Sequence, residues 1–382
     1  MATGRKIRVL IVDDSAVMRS LLRSVVMTDA GLEIAGSAAN GVDALSNLET
    51  LKPDLILLDV EMPLMDGLAT LKQLRGRGHK MPVIMCSSLT QRGARVTIEA
   101  LAGGASDYVA KPAGQSGREE AIRALAQELI PKIHALAGGP RMQPQAVIPG
   151  AVRAPLSISL GQPARSALPQ STPSVLAIGV STGGPVALDV LLPALPANFP
   201  IPVLIVQHMP EVFTQLFSER LNGRCKLRVR EATEGDAATA GTIYIARGNW
   251  HMEAAPAARP GAPVTLHLSQ GPAENHCRPA ADVLFRSVAR VYGAGVLAVV
   301  LTGMGSDGMN GCRTIREHGG SVLAQDEATS VVWGMPGAVT NAGLAHKVLP
   351  LGGMAAEILR ILRRPHSDGS EIAREILPMA VS

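Results

Sequence analysis

Short apolar runs alternate with amphipathic stretches over residues 7 to 128. IRVLIV, LEIAGS, PDLILLDV, MPVIMCSS and DYVAKP read as buried strands. Between them, AVMRSLLRSVV, GVDALSNLE, DGLATLKQLR and RVTIEALAGG space their apolar positions as helices do. Strands alternating with helices predict a parallel sheet covered on both faces, built from about five βα units. From Ala135 to Pro173 neither period survives: seven prolines fall between Pro140 and Pro173 and no acidic residue does, which predicts an extended, semi-rigid linker. The rhythm resumes from Ser174 to about Leu362 with VLAIGV, IPVLIVQH, TIYIA, VTLHL, GVLAVVLTG, SVLAQD and a last helix at MAAEILRILRR. Shorter strands between Lys226 and Leu268 predict antiparallel additions. The expected fold is α/β throughout, with an N-terminal (βα)5 domain over 1–128, a linker over 129–173, a doubly wound, mainly parallel domain over 174–365, and a tail over 366–382.

Composition narrows the function classes. Aromatic residues make up 2% of the chain, too few for a base-stacking nucleic-acid platform. The net charge of +4 is scattered along the chain, which describes a solvated surface and not a nucleic-acid-binding stripe. There is no helix-turn-helix pattern and no internal repeat. Cys86, Cys225, Cys277 and Cys312 lie far apart with no CxxC pair, so they read as reduced structural thiols in a cytoplasm. The start, MATGRKIRVLIVDD, lacks the apolar region and cleavage site of a signal peptide. Apolar runs such as Val296 to Leu301 are too short to span a bilayer. A soluble, cytoplasmic protein without membrane insertion is expected.

Candidate chemistry gathers at strand ends. Asp13 and Asp14 follow IRVLIV, Asp59 follows DLILL, and Lys111 follows DYVA just before Pro112. In an open parallel sheet the ligand crevice lies beyond the carboxyl ends of the strands, so these groups converge on one pocket. Three carboxylates packed together repel, and a divalent cation resolves the conflict; oxygen-only ligation favours Mg²⁺. The lysine supplies a point charge suited to a phosphoryl oxygen. With the acidic pair, LLDVEMP followed by MDG, a hydroxyl after the fourth strand, and KP, residues 7 to 128 resemble a response-regulator receiver domain, a flavodoxin-like fold. That resemblance implies phosphorylation on Asp59 and direct Mg²⁺ ligation by Asp14 and Asp59. Asp13 would act largely through water and Glu61 through its backbone carbonyl. Ser87 and Lys111 would hold the phosphoryl group, Tyr108 would be the switch aromatic, and a histidine kinase would be the phosphodonor.

The second cluster begins where VLAIGV runs into Gly179-Val180-Ser181-Thr182-Gly183-Gly184-Pro185. G-x-S-x-G on a strand-to-helix turn is a nucleophile-elbow arrangement, with glycines allowing the sharp turn and Pro185 placed in the first helical turn. A serine hydroxyl needs an adjacent base. His208, just past IPVLIVQ, is the candidate base, and Asp307, past VLAVVLTGMGS, the candidate orienting acid. The loop Gly303 to Gly308 can offer backbone N–H groups to an oxyanion. The chain order Ser, His, Asp differs from that of an α/β-hydrolase and predicts a different fold with triad chemistry.

Through IGVSTGGP, QHMP, NHCRPAADVLF and LTGMGSDG, residues 174 to 362 resemble the catalytic domain of the chemotaxis protein-glutamate methylesterase family (CheB). The resemblance implies phosphorylation-activated hydrolysis of γ-glutamyl methyl esters on methyl-accepting chemoreceptors, with deamidation of receptor glutamines. It implies Ser181 as nucleophile, His208 as acid/base, Asp307 as orienting acid and the Met304 N–H as oxyanion donor. Thr182 and Arg278 would shape the site or bind substrate. The ester step needs no metal, and a receiver packed over Ser181 would block it. A hydrolase of another ester or amide, or an adaptor with a vestigial triad, remains open on the residues alone.

Overall fold

The computed structural model describes residues 5–112, 117–138, 171–256, 259 and 261–363. The N-terminal sheet contains β1 (Ile7–Val12), β2 (Leu32–Ala38), β3 (Leu55–Asp59), β4 (Val83–Ser87) and β5 (Asp107–Ala110) in the order β2-β1-β3-β4-β5. All of its pairings are parallel. Its helices are α1 (Ala16–Val26), α2 (Gly41–Leu51), α3 (Gly67–Gly76), α4 (Gln91–Ala102) and α5 (Arg118–Ala137). β3 and β4 are buried along their whole length, which is why they read as unbroken apolar runs. Ser15, Asn40, Asp66 and Thr90 start α1 to α4, each accepting a hydrogen bond from a backbone N–H of the first turn.

The C-terminal sheet holds β6 (Val175–Val180), β7 (Val203–Gln207), β8 (Arg228–Glu231), β9 (Thr242–Ile245), β12 (Val296–Val300), β13 (Ser321–Gln325) and β14 (Lys347–Leu349). Its order is β14-β13-β12-β6-β7-β9-β8, with every pairing parallel. The strands β10 (His251–Ala255) and β11 (Thr265–Ser269) form a separate antiparallel pair. The helices are α6 (Gly184–Leu191), α7 (Glu211–Asn222), α8 (Ala281–Tyr292), α9 (Met309–Glu317), α10 (Met335–Asn341) and α11 (Leu351–Leu362).

Two expectations change. The stretch from Lys226 to Leu268 divides: β8 and β9 extend the main sheet in parallel, and only β10 and β11 are antiparallel. The helix α5 also continues to Ala137, well past the boundary expected at 128. Leu125, Leu129 and Ile133, spaced by four, are buried on one face and hold it in place despite Pro131, which lacks an N–H. Residues 139–170, most of the expected linker, and the tail 366–382 lie outside the described residues.

The two sheets share an apolar contact. The helix α4 packs on α6 and α7. The Tyr108 ring, at β5, stacks on Phe213 of α7 with centroids 4.7 Å apart and planes 11° from parallel. One continuous cluster of buried apolar residues includes members of both sheets. Because Ile133 is fully buried, Ile133→Ala is expected to lower stability by about 2–5 kcal/mol in denaturant unfolding.

Candidate active site and phosphorylation site

At the carboxyl edge of the N-terminal sheet, Lys111 Nζ lies 2.8 Å from Asp13 Oδ2 and 2.7 Å from Asp59 Oδ1. Carboxylate oxygens of Asp13, Asp14 and Asp59 come within 4.8 Å of one another. Asp13 and Asp59 are buried and Asp14 is exposed, so the cluster opens to solvent on one side. Burial pushes the Asp59 carboxyl up and the negative charge of Asp13 adds to this, against the opposing pull of Lys111. Burial works against the Lys111 ammonium, but Asp13 and Asp59 outweigh it and raise its pKa. Asp13 Oδ2 is buried and, apart from the ion pair, has no directed hydrogen-bond partner. Three hard carboxylate donors this close together, on a cluster open to solvent, fit a Mg²⁺ ion.

Ser87 lies buried at the end of β4, its hydroxyl donating to the Ser88 carbonyl at 3.1 Å. The Glu61 side chain pairs with Arg92 at 3.1 Å. Tyr108 is buried against Phe213, at the contact between the domains.

The second site is assembled at the corresponding edge of the C-terminal sheet. The neighbouring strands β12, β6 and β7 carry the motifs on their carboxyl ends. Val180 pairs in register with Gln207, so Ser181 and His208 are the next residues along adjacent strands; the His208 N–H donates to the Val180 carbonyl at 3.1 Å. On the other side, the Ser181 N–H donates to the Thr302 carbonyl at 3.0 Å. Gly183 takes a φ of +76°, the left-handed region that glycine enters without a Cβ clash, and the chain turns there into α6. Gly303 passes so close that a Cβ on it would stand 2.8 Å from the Ser181 Cβ. Its own N–H is spent on the Val332 carbonyl at 3.0 Å, while the neighbouring Met304 N–H makes no hydrogen bond among the described residues.

His208 Nε2 lies 2.7 Å from Asp307 Oδ2. Asp307 is buried, and besides His208 it accepts from the Asn275 side chain and from the N–H groups of Ala281, Asp282 and Gly308. Ala281 and Asp282 open α8, whose preceding residue, Ala280, offers no capping side chain. Asp307 therefore caps α8 from another loop. Asp282 returns the favour to α9, which has no side-chain cap of its own, by accepting from the Gly311 N–H at 2.6 Å.

Burial pushes the Asp307 carboxyl up, but His208 and the backbone donors outweigh it and hold it below the usual range. For His208, burial disfavours the charged ring, yet the bonds to Asp307 and Cys277 prevail and raise it to about 9. Asp282 is pushed up, chiefly by burial.

Several residues differ from their expected surroundings. The Thr182 hydroxyl donates to Asp107 Oδ2 of β5 at 2.8 Å, so it is occupied by the N-terminal domain. The Arg278 guanidinium is spent on Asn249 Oδ1 and the carbonyls of Gln270 and Gly271, holding loops together. Cys277, read as a structural thiol, lies with its Sγ 3.5 Å from His208 Nδ1. Asn275, Asp282 and Asp107 were not singled out in the sequence. Asn275 and Cys277 lie inside NHCRPAADVLF, but nothing in their spacing points across to the strand ends of Asp307 and His208.

Taken by fold and site, this is a response-regulator receiver coupled to an α/β domain with a Ser, His and Asp cluster at its sheet edge. The response regulator receiver profile matches residues 9–123, and the CheB methylesterase profile matches residues 176–358. A Trichodesmium erythraeum protein named protein-glutamate methylesterase/protein-glutamine glutaminase is 47% identical over 355 residues, covering 93% of this chain and 99% of its own. A similarly named protein from a Nocardioides species is 48% identical, covering 94% and 96%. The solved Thermotoga maritima CheB methylesterase catalytic domain is 38% identical, covering 50% of this chain and 100% of its own with a TM-score of 0.48. The chain belongs to the CheB family of protein-glutamate methylesterases/protein-glutamine glutaminases.

The shifted pair sets a pH signature. A folded-state value of about 9 against an ordinary 6.5 means that the stability from His208 charging is fully present below pH 6.5 and is lost as pH rises through 9. Comparing melts of wild type and Asp307→Asn from pH 6 to 9.5 should show the widest gap at the acid end, narrowing by roughly 1–3 kcal/mol toward pH 9.

Proposed function

We propose that this chain is a phosphorylation-activated esterase that hydrolyses glutamyl methyl esters on methyl-accepting chemoreceptors and deamidates receptor glutamines, working in the cytoplasm. The observation that carries the reading is the 2.7 Å pair of His208 and Asp307, placed one strand from Ser181 at the same sheet edge. The relatives named for this activity extend over nearly the whole chain. No described helix is long and apolar enough to cross a membrane.

In this reading Ser181 Oγ attacks the ester carbonyl while the neutral form of His208, the fraction that grows as pH approaches 9, takes its proton through Nδ1, the nitrogen not committed to Asp307. Asp307 fixes the ring and stabilises the imidazolium that forms. The Met304 N–H receives the negative charge on the former carbonyl oxygen. His208 then returns the proton to methanol as it leaves, and water repeats the cycle on the acyl-serine. An amide follows the same course with ammonia leaving.

Control enters from the receiver. Asp59 takes a phosphoryl group from a histidine kinase, with Asp13, Asp14, Asp59 and the Glu61 carbonyl as the ligands for Mg²⁺. Bound there, the ion neutralises charge on the transferring phosphoryl group. Lys111 and Ser87 hold the product. Lys111 now pairs with Asp13 and Asp59, so a phosphoryl group changes what it contacts. Lys111 follows β5, the strand whose Asp107 and Tyr108 touch Thr182 and Phe213. This contact adjoins Ser181 and supports occlusion of the site by the unphosphorylated receiver. Phosphorylation then has to stabilise the released state over the docked one.

Methanol release from methyl-labelled receptor membranes tests the activity. Wild type with a phosphodonor and Mg²⁺ should release methanol, and Ser181→Ala should be slower by about 10⁴-fold or more. Absence of release from wild type would reject the methylesterase assignment. Asp59→Asn should abolish the stimulation by phosphodonor. Asp107→Ala, which removes the acceptor for Thr182, should raise the unstimulated rate several-fold; an unchanged rate would argue against docking at this contact.

A further inference from the structure

One side chain lies beside the His208 nitrogen that Asp307 leaves open. The Nε2 atom is committed to Asp307, which leaves Nδ1 for any other partner. Cys277 Sγ lies 3.5 Å from that Nδ1, and among the described residues no hydrogen bond joins Nδ1 to Ser181. The base is therefore held by a sulfur that the esterase reaction does not use.

The position of Cys277 is built. Glu274 and Cys277 exchange backbone hydrogen bonds of 3.0 and 2.8 Å, closing a tight turn. Its two central residues, Asn275 and His276, take positive φ values of 52° and 62°. Side chains other than glycine hold that conformation when their surroundings over-determine it. Here Arg286 grips the Glu274 carboxylate with two bonds of 2.6 Å, tying the turn to α8. Asn275 Nδ2 bridges Asp307 Oδ1 and Asp282 Oδ2 at 2.9 and 3.0 Å. One short turn thus presents Asn275 to the acid and Cys277 to the base.

We propose that Cys277 is a positioning residue that engages His208 Nδ1 and competes with Ser181 for it, lowering the basal rate of the enzyme. The inference rests on the assignment of Ser181 as nucleophile. Thiols make weak hydrogen bonds, so Cys277 yields when substrate brings Ser181 into line, and it tunes the base without blocking it. The ionisable groups facing the ring are Asp307 and Cys277, with Asp282 behind Asp307 through Asn275.

The test uses the full chain with ¹⁵N-labelled histidine, the His208 signals being those lost in His208→Gln. Cys277→Ala should move the Nδ1 resonance and shift the pH midpoint of His208, and Cys277→Ser, which keeps a donor in place, should return both toward wild type. An unchanged resonance and midpoint in a folded Cys277→Ala would overturn the proposal. Should that variant fail to fold, alkylation of Cys277 by iodoacetamide at neutral pH gives a second reading. It should slow several-fold in His208→Gln, and equal rates would overturn the proposal too. In the methanol assay, Cys277→Ala should raise the unstimulated rate by about three- to tenfold; a fall would mark a packing role only. Neither the resonance nor the alkylation needs substrate, so a failure of the methylesterase reading, seen as no methanol release from any variant, is distinguishable from a failure of this one.

Discussion

The buried charge of Asp307 is the constraint around which the catalytic edge is organised. An isolated carboxylate in such a place costs several kcal/mol unless it is fully hydrogen-bonded. Its donors come from the end of β7, the turn before α8, the first turn of α8 and the loop into α9. Satisfying one side chain therefore fixes four segments relative to one another. The reciprocal capping of α8 by Asp307 and of α9 by Asp282 extends this, because neither helix carries a side-chain cap of its own. The same bonds that hold Asp307 ionised hold His208 in place, so the stability of the edge and the orientation of the base have one origin.

The receiver uses the same arrangement of parallel strands for a different end. Its carboxylates accumulate beyond the strands where a cation and a phosphoryl group are to be held, and Lys111 stands between Asp13 and Asp59. Between the two sites runs β5. Asp107 reaches Thr182, the residue after Ser181, while Lys132 supports Asp107 from beneath at 3.5 Å and donates to the Tyr108 carbonyl at 2.6 Å. The one aromatic residue of the receiver is thus also the one stacked on the catalytic domain. Lys111 directly follows a strand that is already part of the interface.

Much of both sites was legible because strand periodicity is local and the crevice rule is general. Asp13, Asp59 and Lys111, and likewise Ser181, His208 and Asp307, each follow a recognisable apolar run, and parallel strands bring such ends to one edge. The end of α5 was missed because Pro131 looks like a breaker, whereas burial of Leu129 and Ile133 keeps the helix intact. The parallel direction of β8 and β9 was equally hidden, since short strands carry no sign of their partner.

The sequence by itself determined the two sheets, their order along the chain and the chemistry at the strand ends, because each depends on residues close together in the chain. Only the tertiary structure decided which side chains meet across loops. Thr182 meets Asp107 across a separation of 75 positions, Cys277 meets His208 across 69, and Asn275 meets Asp307 across 32. Such contacts follow from how the domains pack and how buried charges find donors, and neither leaves a period or a spacing in the sequence.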